Sequence, residues 1–330
     1  MNNILVINVN WIGDVVLSSP VFRNLKEAYP RAKISCLAPP RVKDIIACIP
    51  EIDEFIAYDE KGMHWAPWAK LGLIFELRRR KFDAAFLLHG SATRALLAYW
   101  AGIPARAGYA TKHREKYLTH ITPQNGALHR SDHYLKVIES FGVKVTDRST
   151  RLQLPAGITI QLEEILKRYN LLAGKFVVIH PGANWELKRW PAANFTLLIE
   201  RLLAEKIKVI LTGSANELSL TEAIVKPLTA KPIVLTGKID LQGLIGLMSQ
   251  ARLVISADSG PLHIANGLGI NVIALFGPTR PEVTGPRGKG GAKVIQHDVG
   301  CNRAACYYLE CPDNSCMQAI SVEDVINAIK

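Results

Sequence analysis

The chain of 330 residues carries a formal net charge of +11 at pH 7, and 48% of its residues are hydrophobic. This length exceeds what one hydrophobic core usually serves, so two domains are expected. No apolar run approaches the roughly 18 residues of a membrane-spanning helix, and the start, MNNILVINVN, lacks the basic region and cleavage site of a secretory signal. We therefore expect a soluble, cytoplasmic protein.

The positive charge is concentrated in the amino-terminal half. Residues 1–151 hold 22 Lys and Arg against 14 Asp and Glu, whereas residues 152–330 hold 18 against 15. A phosphorylated lipid, an anionic membrane face or a nucleic acid would each suit such a surface, and plain solvated charge is the simpler explanation. The amino half is thus where an acidic partner is expected.

Four apolar runs in the first half predict the strands of parallel βα units: ILVINV, KISCLA, IDEFIAY and FDAAFLLH. Segments with helical spacing, including 21–28 and 71–80, lie between them. After the first strand, Gly13 permits a tight turn and Asp14 begins the next helix, where the simplest interpretation of Asp14 is an N-cap. The turn lacks the three spaced glycines of dinucleotide-binding oxidoreductases, which disfavours a nicotinamide dehydrogenase, and the Lys-Ser/Thr phosphate loop of nucleotide hydrolases is also absent from the sequence.

A second, independent series of apolar runs follows: KFVVIHPG, IKVILTGS, PIVLTGK, ARLVISADSG and NVIALFGPT. Proline and glycine interrupt the pattern around TRLQLPAGIT. The sequence therefore predicts two doubly wound α/β domains, 1–155 and 156–330. Such sheets bind ligands beyond the carboxyl ends of their strands, so polar residues at strand ends are the candidates for function.

The strand ends of the second half carry groups that suit a diphosphate and a sugar or ribose hydroxyl. Lys188 and Arg189 form a basic pair suited to a diphosphate, with solvated charge as the alternative. Glu217 suits a sugar or ribose hydroxyl, or simply a helix start. Thr279 follows the strand predicted from NVIALFGPT, so it is expected at the same edge of the second sheet.

The stretch SADSGPLHIANGLG places a turn at the amino end of a helix, where phosphate binds readily. Gly260 allows close backbone approach, and Ser259 and His263 add polar groups. Asp258 would repel phosphate, so it is expected to accept hydrogen bonds from loop amides or sugar hydroxyls. A capped helix with a packed histidine is the alternative.

Five ordered stretches resemble glycosyltransferase family 9, the lipopolysaccharide heptosyltransferases: ILVINVNWIGDVVLSSPVFRNLKEAYP, HPGANWELKRWPAANF, LTGSANE, LTGKIDLQGLIGLMSQARLVISADSGPLHIANGLG and ALFGPT. The resemblance spans almost the whole chain and implies the GT-B architecture, two Rossmann-like domains facing a central cleft. It also implies transfer of L-glycero-D-manno-heptose from ADP-heptose to the inner core of lipopolysaccharide, with inversion. No cofactor and no obligatory metal is expected.

Position by position, the resemblance implies that Asp14 is the general base and that Lys188 holds the donor phosphates. It implies donor binding by Glu217, Asp258, Ser259, Gly260 and His263, to which proximity adds Arg189 and Thr279. Some members carry two hydroxyl residues where this chain has Ala183 and Asn184. Asn184 remains a donor-loop candidate, and the departure favours the second-heptose branch over the first.

An acceptor of Kdo, heptose and phosphate on lipid A is anionic and lies at the cytoplasmic face of the inner membrane. The basic amino half would meet it peripherally, with no role for nucleic acid. The candidates for acceptor binding are Lys61, His64, Arg106, Lys112 and Arg114. Trp65 and Trp68 suit a sugar platform or the lipid headgroup layer, or else pack under a loop.

The cysteines predict no disulfide framework in a cytoplasmic chain. Cys301, Cys306, Cys311 and Cys316 recur every five residues, at the loose edge of zinc-site spacing, so a structural role is favoured over metal ligation. Cys36 and Cys48 are expected to be buried thiols.

Other functions remain open at this stage. A family-9 transferase with another sugar or a protein acceptor, a non-catalytic sugar-nucleotide or lipid-headgroup binding protein, and a nucleotide-sugar epimerase each fit two Rossmann-like halves. An epimerase would need no acceptor, so product analysis separates it from a transferase.

Overall fold

The computed structural model describes residues 1–111, 113–124, 126–301, 306 and 311–329. The chain divides into two units, Met1–Gln153 and Leu154–Lys330. This division falls two residues before the boundary predicted at residue 155. Each unit is a single parallel six-stranded sheet with helices between the strands.

In the first unit the strand order is β3-β2-β1-β4-β5-β6. The strands are β1 (Asn3–Ile7), β2 (Lys33–Ala38), β3 (Glu54–Ala57), β4 (Ala84–Leu87), β5 (Ala105–Tyr109) and β6 (His120–Thr122). The α-helices are α1 (Ile12–Leu17), α2 (Ser19–Ala28), α3 (Lys43–Ile46), α4 (Pro67–Arg79), α5 (Ala92–Trp100) and α6 (Arg130–Glu139). Short 3-10 turns lie at Pro40–Val42 and Glu115–Tyr117.

The second unit repeats this order as β12-β11-β10-β7-β8-β9. Its strands are β7 (Phe176–His180), β8 (Lys208–Leu211), β9 (Ile233–Val234), β10 (Leu253–Ala257), β11 (Val272–Leu275) and β12 (Ala292–Ile295). Its α-helices are α7 (Thr159–Arg168), α8 (Ala192–Ala204), α9 (Leu218–Val225), α10 (Leu241–Ser249), α11 (Gly260–Gly267), α12 (Pro281–Thr284), α13 (Ser315–Gln318) and α14 (Val322–Ile329). The 3-10 turns are Ala156–Ile158, Glu186–Lys188 and Ala215–Glu217.

The central strands are apolar along their whole length because helices cover both faces of each sheet. In β1 the residues from Ile4 to Ile7 are fully buried, and β7 and β11 are buried throughout. The carboxyl-terminal segment closes the second core, where the buried Trp190 indole donates a 2.9 Å hydrogen bond to the Ile320 carbonyl. Two separate cores of this kind account for the high apolar content.

The predicted pair of doubly wound α/β halves is confirmed, and the nine predicted strands correspond to β1 to β4 and β7 to β11. The sequence analysis missed β5, β6 and β12. These strands carry charged or small residues, and β12 is largely exposed at the sheet edge, so no apolar run marks it. Within the described ranges, no helix is long and apolar enough to cross a bilayer.

Candidate functional site

Each sheet reverses its strand order at one point, between β1 and β4 in the first unit and between β7 and β10 in the second. At such a switch point the adjoining connections run to opposite faces of the sheet and leave a crevice beyond the carboxyl ends of the strands. Asp14 lies in the first turn of α1, the helix that follows β1, and Asp258 lies in the loop that follows β10. The candidate groups therefore lie where a doubly wound sheet binds its ligands.

Asp14 does not cap its helix. The N-cap position of α1 is Trp11, and Asp14 lies inside the first turn, so the interpretation of Asp14 as an N-cap is wrong. Its carboxylate instead accepts a 2.9 Å hydrogen bond from the Tyr134 hydroxyl, and Arg130 Nε lies 3.6 Å away. The Asp14 side chain keeps 28% of its surface exposed. A carboxylate held in place and still open to solvent is suited to accept a proton.

Sequence analysis missed both partners of Asp14. Arg130 and Tyr134 are four residues apart on α6, so they share one helix face. Nothing in the sequence links that face to a carboxylate more than a hundred residues earlier. The fold makes the link, because α6 packs beside α1 and α2.

The loop between β1 and α1 is braced by an arginine that the sequence analysis also missed. Arg94 is almost fully buried, and it donates 2.7 Å hydrogen bonds to the Asn8 carbonyl and to Asn10 Oδ1. Asn10 in turn contacts His89 Nε2 at 3.2 Å, and Arg41 donates to the Asn10 carbonyl at 3.0 Å. This network holds the backbone that leads into Asp14.

His133 lies beside the same site on α6 and stacks on the Tyr109 ring, with 4.1 Å between ring centroids. Burial of the imidazole, followed by the positive charge of Arg130, lowers its pKa from 6.5 to about 4. The neutral imidazole is therefore the form that the folded chain favours.

We expect the stability of the protein to fall as the pH drops from about 6.5 to about 4, in part because of His133. The folded pKa lies below the unfolded value, so the unfolded chain binds the extra proton in this range and is favoured by acid. With allowance for solvent screening of a half-buried ring, His133→Gln should remove about 1 to 2 kcal/mol of this pH dependence. Urea unfolding at pH 7 and pH 4.5 measures it, with the exposed His120→Gln as control. Equal pH dependence in the wild type and in His133→Gln would contradict the assignment.

In the second unit, Lys188 and Asp258 form the centre of the candidate site. Lys188 Nζ lies 2.7 Å from Asp258 Oδ2. The same carboxylate oxygen accepts hydrogen bonds from the hydroxyls of Thr279 at 2.8 Å and Thr284 at 3.1 Å. His263 Nε2 lies 3.6 Å from Oδ1. The site thus joins the loop after β7 to the loops after β10 and β11.

The Asp258 side chain holds these groups in place. It is buried, with only 5% of its surface exposed. Burial raises the pKa of the Asp258 carboxyl, but His263 and Lys188 outweigh burial and hold that pKa well below its usual range. Asp258 Oδ2 accepts hydrogen bonds from side chains of the protein, the Lys188 ammonium and the hydroxyls of Thr279 and Thr284, and its expected bonds to sugar hydroxyls stay a prediction. The carboxylate thereby fixes the position of the Lys188 charge.

The amino end of α11 keeps the features expected of an anion site. Ser259 is the N-cap residue, but its side chain makes no cap hydrogen bond and instead pairs with the Ser256 hydroxyl at 2.9 Å. The helix begins at Gly260, where a bound group can approach the backbone closely. His263 Nδ1 is buried and, within the described residues, has no hydrogen-bond partner. The alternative of a capped helix with a packed histidine is wrong for the cap, because Ser259 makes no side-chain cap, but His263 is buried as that alternative expected.

The remaining donor candidates mainly stabilise their own loops. The Glu217 carboxylate closes a capping box with the Ser214 amide at 2.7 Å and its hydroxyl at 2.9 Å. It also lies over Gly182, where a Cβ would overlap it. Arg189 donates to the Ala183 carbonyl at 3.1 Å and pairs with Glu186 at 3.0 Å. Asn184 is exposed on this loop.

Two of the acceptor candidates, Arg114 and Arg106, donate hydrogen bonds to backbone carbonyls of their own unit. Arg114 is fully buried, and its guanidinium donates to the carbonyls of Tyr109 and His89. Arg106 is half-buried and donates to the carbonyls of Tyr117 and Ile103. The sequence alone does not show whether a basic side chain near the end of a strand faces solvent or hydrogen-bonds to the backbone.

The other two described acceptor candidates, His64 and Lys61, differ in their exposure to solvent. His64 is buried against Tyr58, its Nδ1 accepts from the Asp59 amide at 3.2 Å, and burial lowers its pKa. Lys61 is exposed, as expected. Lys112 lies outside the described residues.

We expect Arg114→Ala to lower the free energy of unfolding by about 2 kcal/mol, because it leaves two carbonyls without their buried donor. Thermal or urea unfolding measures this loss. Lys116→Ala, at an exposed position in the same segment, should change stability little. An unchanged stability for Arg114→Ala would show that the buried guanidinium is dispensable.

The six cysteines are free thiols, and Cys36 and Cys48 are fully buried as expected. Burial raises the pKa of both thiols to about 12, which keeps them protonated and unreactive. Cys301 is exposed, whereas Cys306, Cys311 and Cys316 are half-buried. Across the described part of the chain, no three His, Cys, Asp or Glu side chains are grouped as metal ligands.

Two Rossmann-like units of identical strand order, each with polar groups at its switch point, have the architecture of the GT-B glycosyltransferases. The model of the family described as glycosyltransferase family 9 (heptosyltransferase) matches residues 71–308. The chain therefore belongs to glycosyltransferase family 9, and the protein is a glycosyltransferase.

Curated relatives and solved structures agree with this assignment. The chain is 28% identical to lipopolysaccharide heptosyltransferase 2 of Escherichia coli K12, with 91% of this chain and 89% of the relative covered. It is 30% identical to lipopolysaccharide heptosyltransferase 3 of the same strain, with 82% and 81% covered. The structure of E. coli ADP-heptose lipopolysaccharide heptosyltransferase II matches at a TM-score of 0.82 and 25% identity, with 100% and 97% covered.

A family 9 glycosyltransferase from Veillonella parvula is also similar, with a TM-score of 0.86, 26% identity, and 99% and 95% covered. The UDP-GlcNAc 2-epimerase of Methanocaldococcus jannaschii shares only the fold, at a TM-score of 0.51 and 13% identity, with 89% of each chain covered. The predicted resemblance to the family is thereby confirmed, and the relatives favour a transferase over an epimerase.

Proposed function

We propose that the protein transfers L-glycero-D-manno-heptose from ADP-heptose to the inner core of lipopolysaccharide, with inversion at the anomeric carbon and without a metal. The donor and the acceptor class are those named in the heptosyltransferase relatives. An acceptor that already carries the first heptose is favoured, because several relatives are heptosyltransferases 2. Such an acceptor is attached to lipid A, so the protein would work peripherally at the cytoplasmic face of the inner membrane.

The observation that carries this proposal is the position and hydrogen bonding of the Asp14 carboxylate. This carboxylate lies at the switch point of the first sheet, accepts a hydrogen bond from Tyr134, and does not cap its helix. In the proposed step, this carboxylate takes the proton of the acceptor hydroxyl. The acceptor oxygen then forms a bond to the anomeric carbon on the face opposite the diphosphate.

The second unit would bind the donor and stabilise the leaving group. As the bond from the anomeric carbon to the diphosphate oxygen breaks, the electron pair goes to that oxygen and negative charge grows on ADP. The Lys188 ammonium, positioned by Asp258, and the amides at the amino end of α11 supply positive charge for it. A fixed ammonium of this kind is the basis for proposing metal independence.

Arg130, the neighbour of Asp14, is a further candidate for acceptor binding. Its guanidinium lies 3.6 Å from Asp14 Oδ1, with 38% of its side chain exposed. We assign it to the acceptor side, where it can contact an anionic sugar near the base. Of the other acceptor candidates, the exposed Lys61 is retained.

A mass-resolved transfer assay tests the proposal. Purified protein is incubated with ADP-heptose and with Kdo-lipid A that carries or lacks the first heptose, with a chelator in a parallel arm. We expect a heptose-sized mass gain on the heptose-bearing acceptor, unaffected by the chelator. No gain on either acceptor, with ADP-heptose still binding, would overturn the proposed acceptor. Conversion of the donor sugar without an acceptor would indicate an epimerase.

A further inference from the structure

Helix α4 has an apolar face that its own unit does not cover. Leu73, Ile74 and Leu77 pack into the core of the first unit. On the opposite side of the helix, Trp68 is 73% exposed, Phe75 is 58% exposed and Leu71 is 48% exposed. The spacing of three and four residues places these three side chains in one stripe along the helix.

Two further exposed apolar side chains lie in the segment that precedes the helix. Met63 is 68% exposed and Trp65 is 70% exposed. The expected alternative, that Trp65 and Trp68 pack under a loop, is therefore wrong. A surface helix ordinarily turns polar residues outward, and a contiguous exposed apolar patch marks a site of interaction.

Basic residues predominate in the segment that carries the stripe, which follows the acidic pair Asp59 and Glu60. Residues 61–81 contain six Lys and Arg but one acidic residue, Glu76. Glu76 is paired with Arg80 at 2.6 Å, so it does not offset the other basic side chains. The basic residues apart from Arg80 are Lys61, Lys70, Arg78, Arg79 and Lys81. A cationic rim of this kind is complementary to an anionic surface.

Aromatic residues continue beyond α4 on its neighbour α5. Arg78 donates a 2.7 Å hydrogen bond to the carbonyl of Trp100, which joins the end of α4 to the end of α5. Tyr99 and Trp100 are both exposed there. Tryptophan and tyrosine beside lysine and arginine are the composition that membrane interfaces favour, since the rings and the cations contact headgroups while apolar atoms reach the acyl boundary.

We propose that this surface, defined by Met63, Trp65, Trp68, Leu71 and Phe75 with its basic rim, is a docking site for an anionic lipid bilayer. Helix α4 lies parallel to the membrane plane, with its apolar stripe at the headgroup boundary and its basic side chains on acidic headgroups. The proposal rests on the proposed function in that a lipid A acceptor lies in such a bilayer.

Vesicle co-sedimentation tests the proposal with the full chain. The vesicles contain phosphatidylethanolamine and phosphatidylglycerol, or phosphatidylcholine alone. We expect binding to the anionic vesicles, weakened by salt, and at least about tenfold weaker binding to the neutral ones. The double variant Leu71→Ser/Phe75→Ser should lower the partition coefficient on anionic vesicles by at least about tenfold.

The matched control is Leu172→Ser/Leu197→Ser, which removes two exposed leucines from the second unit and should bind like the wild type. Circular dichroism and thermal unfolding establish that both variants fold. Absent binding by the wild type, or equal binding by the wild type and Leu71→Ser/Phe75→Ser, would overturn the proposal. A dimer in solution that only Leu71→Ser/Phe75→Ser disrupts, without vesicle binding, would assign the face to a second copy of the chain instead.

A transfer assay on a lipid-free core oligosaccharide separates this proposal from the proposed function. We expect Leu71→Ser/Phe75→Ser to keep its rate on this water-soluble acceptor and to lose rate on an acceptor embedded in vesicles. A wild type that binds vesicles but transfers to no acceptor would overturn the proposed function and leave the docking surface standing.

Discussion

Asp14→Asn is expected to lower kcat for transfer by about 10²- to 10⁴-fold, the range that a general base contributes. Asparagine keeps the size of the side chain but cannot take a proton from the acceptor hydroxyl. Because the Tyr134 hydroxyl can still donate to an amide oxygen, the fold and donor binding should be preserved. Steady-state transfer rates, together with calorimetric binding of ADP-heptose, measure the two effects separately.

The matched control for this variant is Asp132→Asn on α6. Asp132 pairs with Arg148 at 2.7 Å, and Arg148 keeps a second partner in Glu139. This variant removes a carboxylate from the same unit and should change kcat less than threefold, about 0.6 kcal/mol in activation free energy. Full activity of Asp14→Asn would remove Asp14 from the proposed mechanism.

Lys188→Met is expected to have two large effects. Loss of the ammonium should lower kcat/KM by about 10²- to 10³-fold, as removal of a charge-stabilising donor does elsewhere. It also leaves the buried Asp258 carboxylate without its cation, which should lower the free energy of unfolding by about 3 to 5 kcal/mol. Transfer kinetics and urea unfolding report the two effects.

A second substitution separates stability from catalysis at this pair. In Lys188→Met/Asp258→Asn no buried charge is left unpaired, so most of the stability should return while transfer remains slow. Arg201→Met, which breaks an exposed ion pair with Glu323 in the same unit, should cost less than about 1 kcal/mol. Recovery of transfer in the double variant would show that Lys188 serves only to neutralise Asp258.

Apolar runs were sufficient to predict two parallel sheets and nine of their strands, because buried parallel strands read as continuous Val, Ile and Leu. Asp14, Lys188 and Asp258 lie in the connections that follow three of these strands, so sequence reasoning placed them at the correct end of each sheet. The same reasoning failed for β12, whose largely exposed residues give no apolar signal.

The contacts among loops were not predictable. The pairing of Lys188 with Asp258, and of Asp14 with Tyr134, joins residues far apart in the chain. Spacing rules describe neighbours on one element, whereas these contacts depend on how separate connections pack at one end of a sheet. Arg114 shows the same limit, since only the three-dimensional path of its segment directs the guanidinium to the backbone.

The confinement of every strand pairing to one unit has a consequence for synthesis on the ribosome. All partners of β1 to β6 precede Gln153, so the first sheet can form while the rest of the chain is still being made. The second sheet needs β12, and its core needs α14, so the second unit cannot be completed before Val322–Ile329 is made. At about 5 to 20 residues per second, the first unit would spend roughly 10 to 35 seconds as a folded nascent domain before its partner unit is complete.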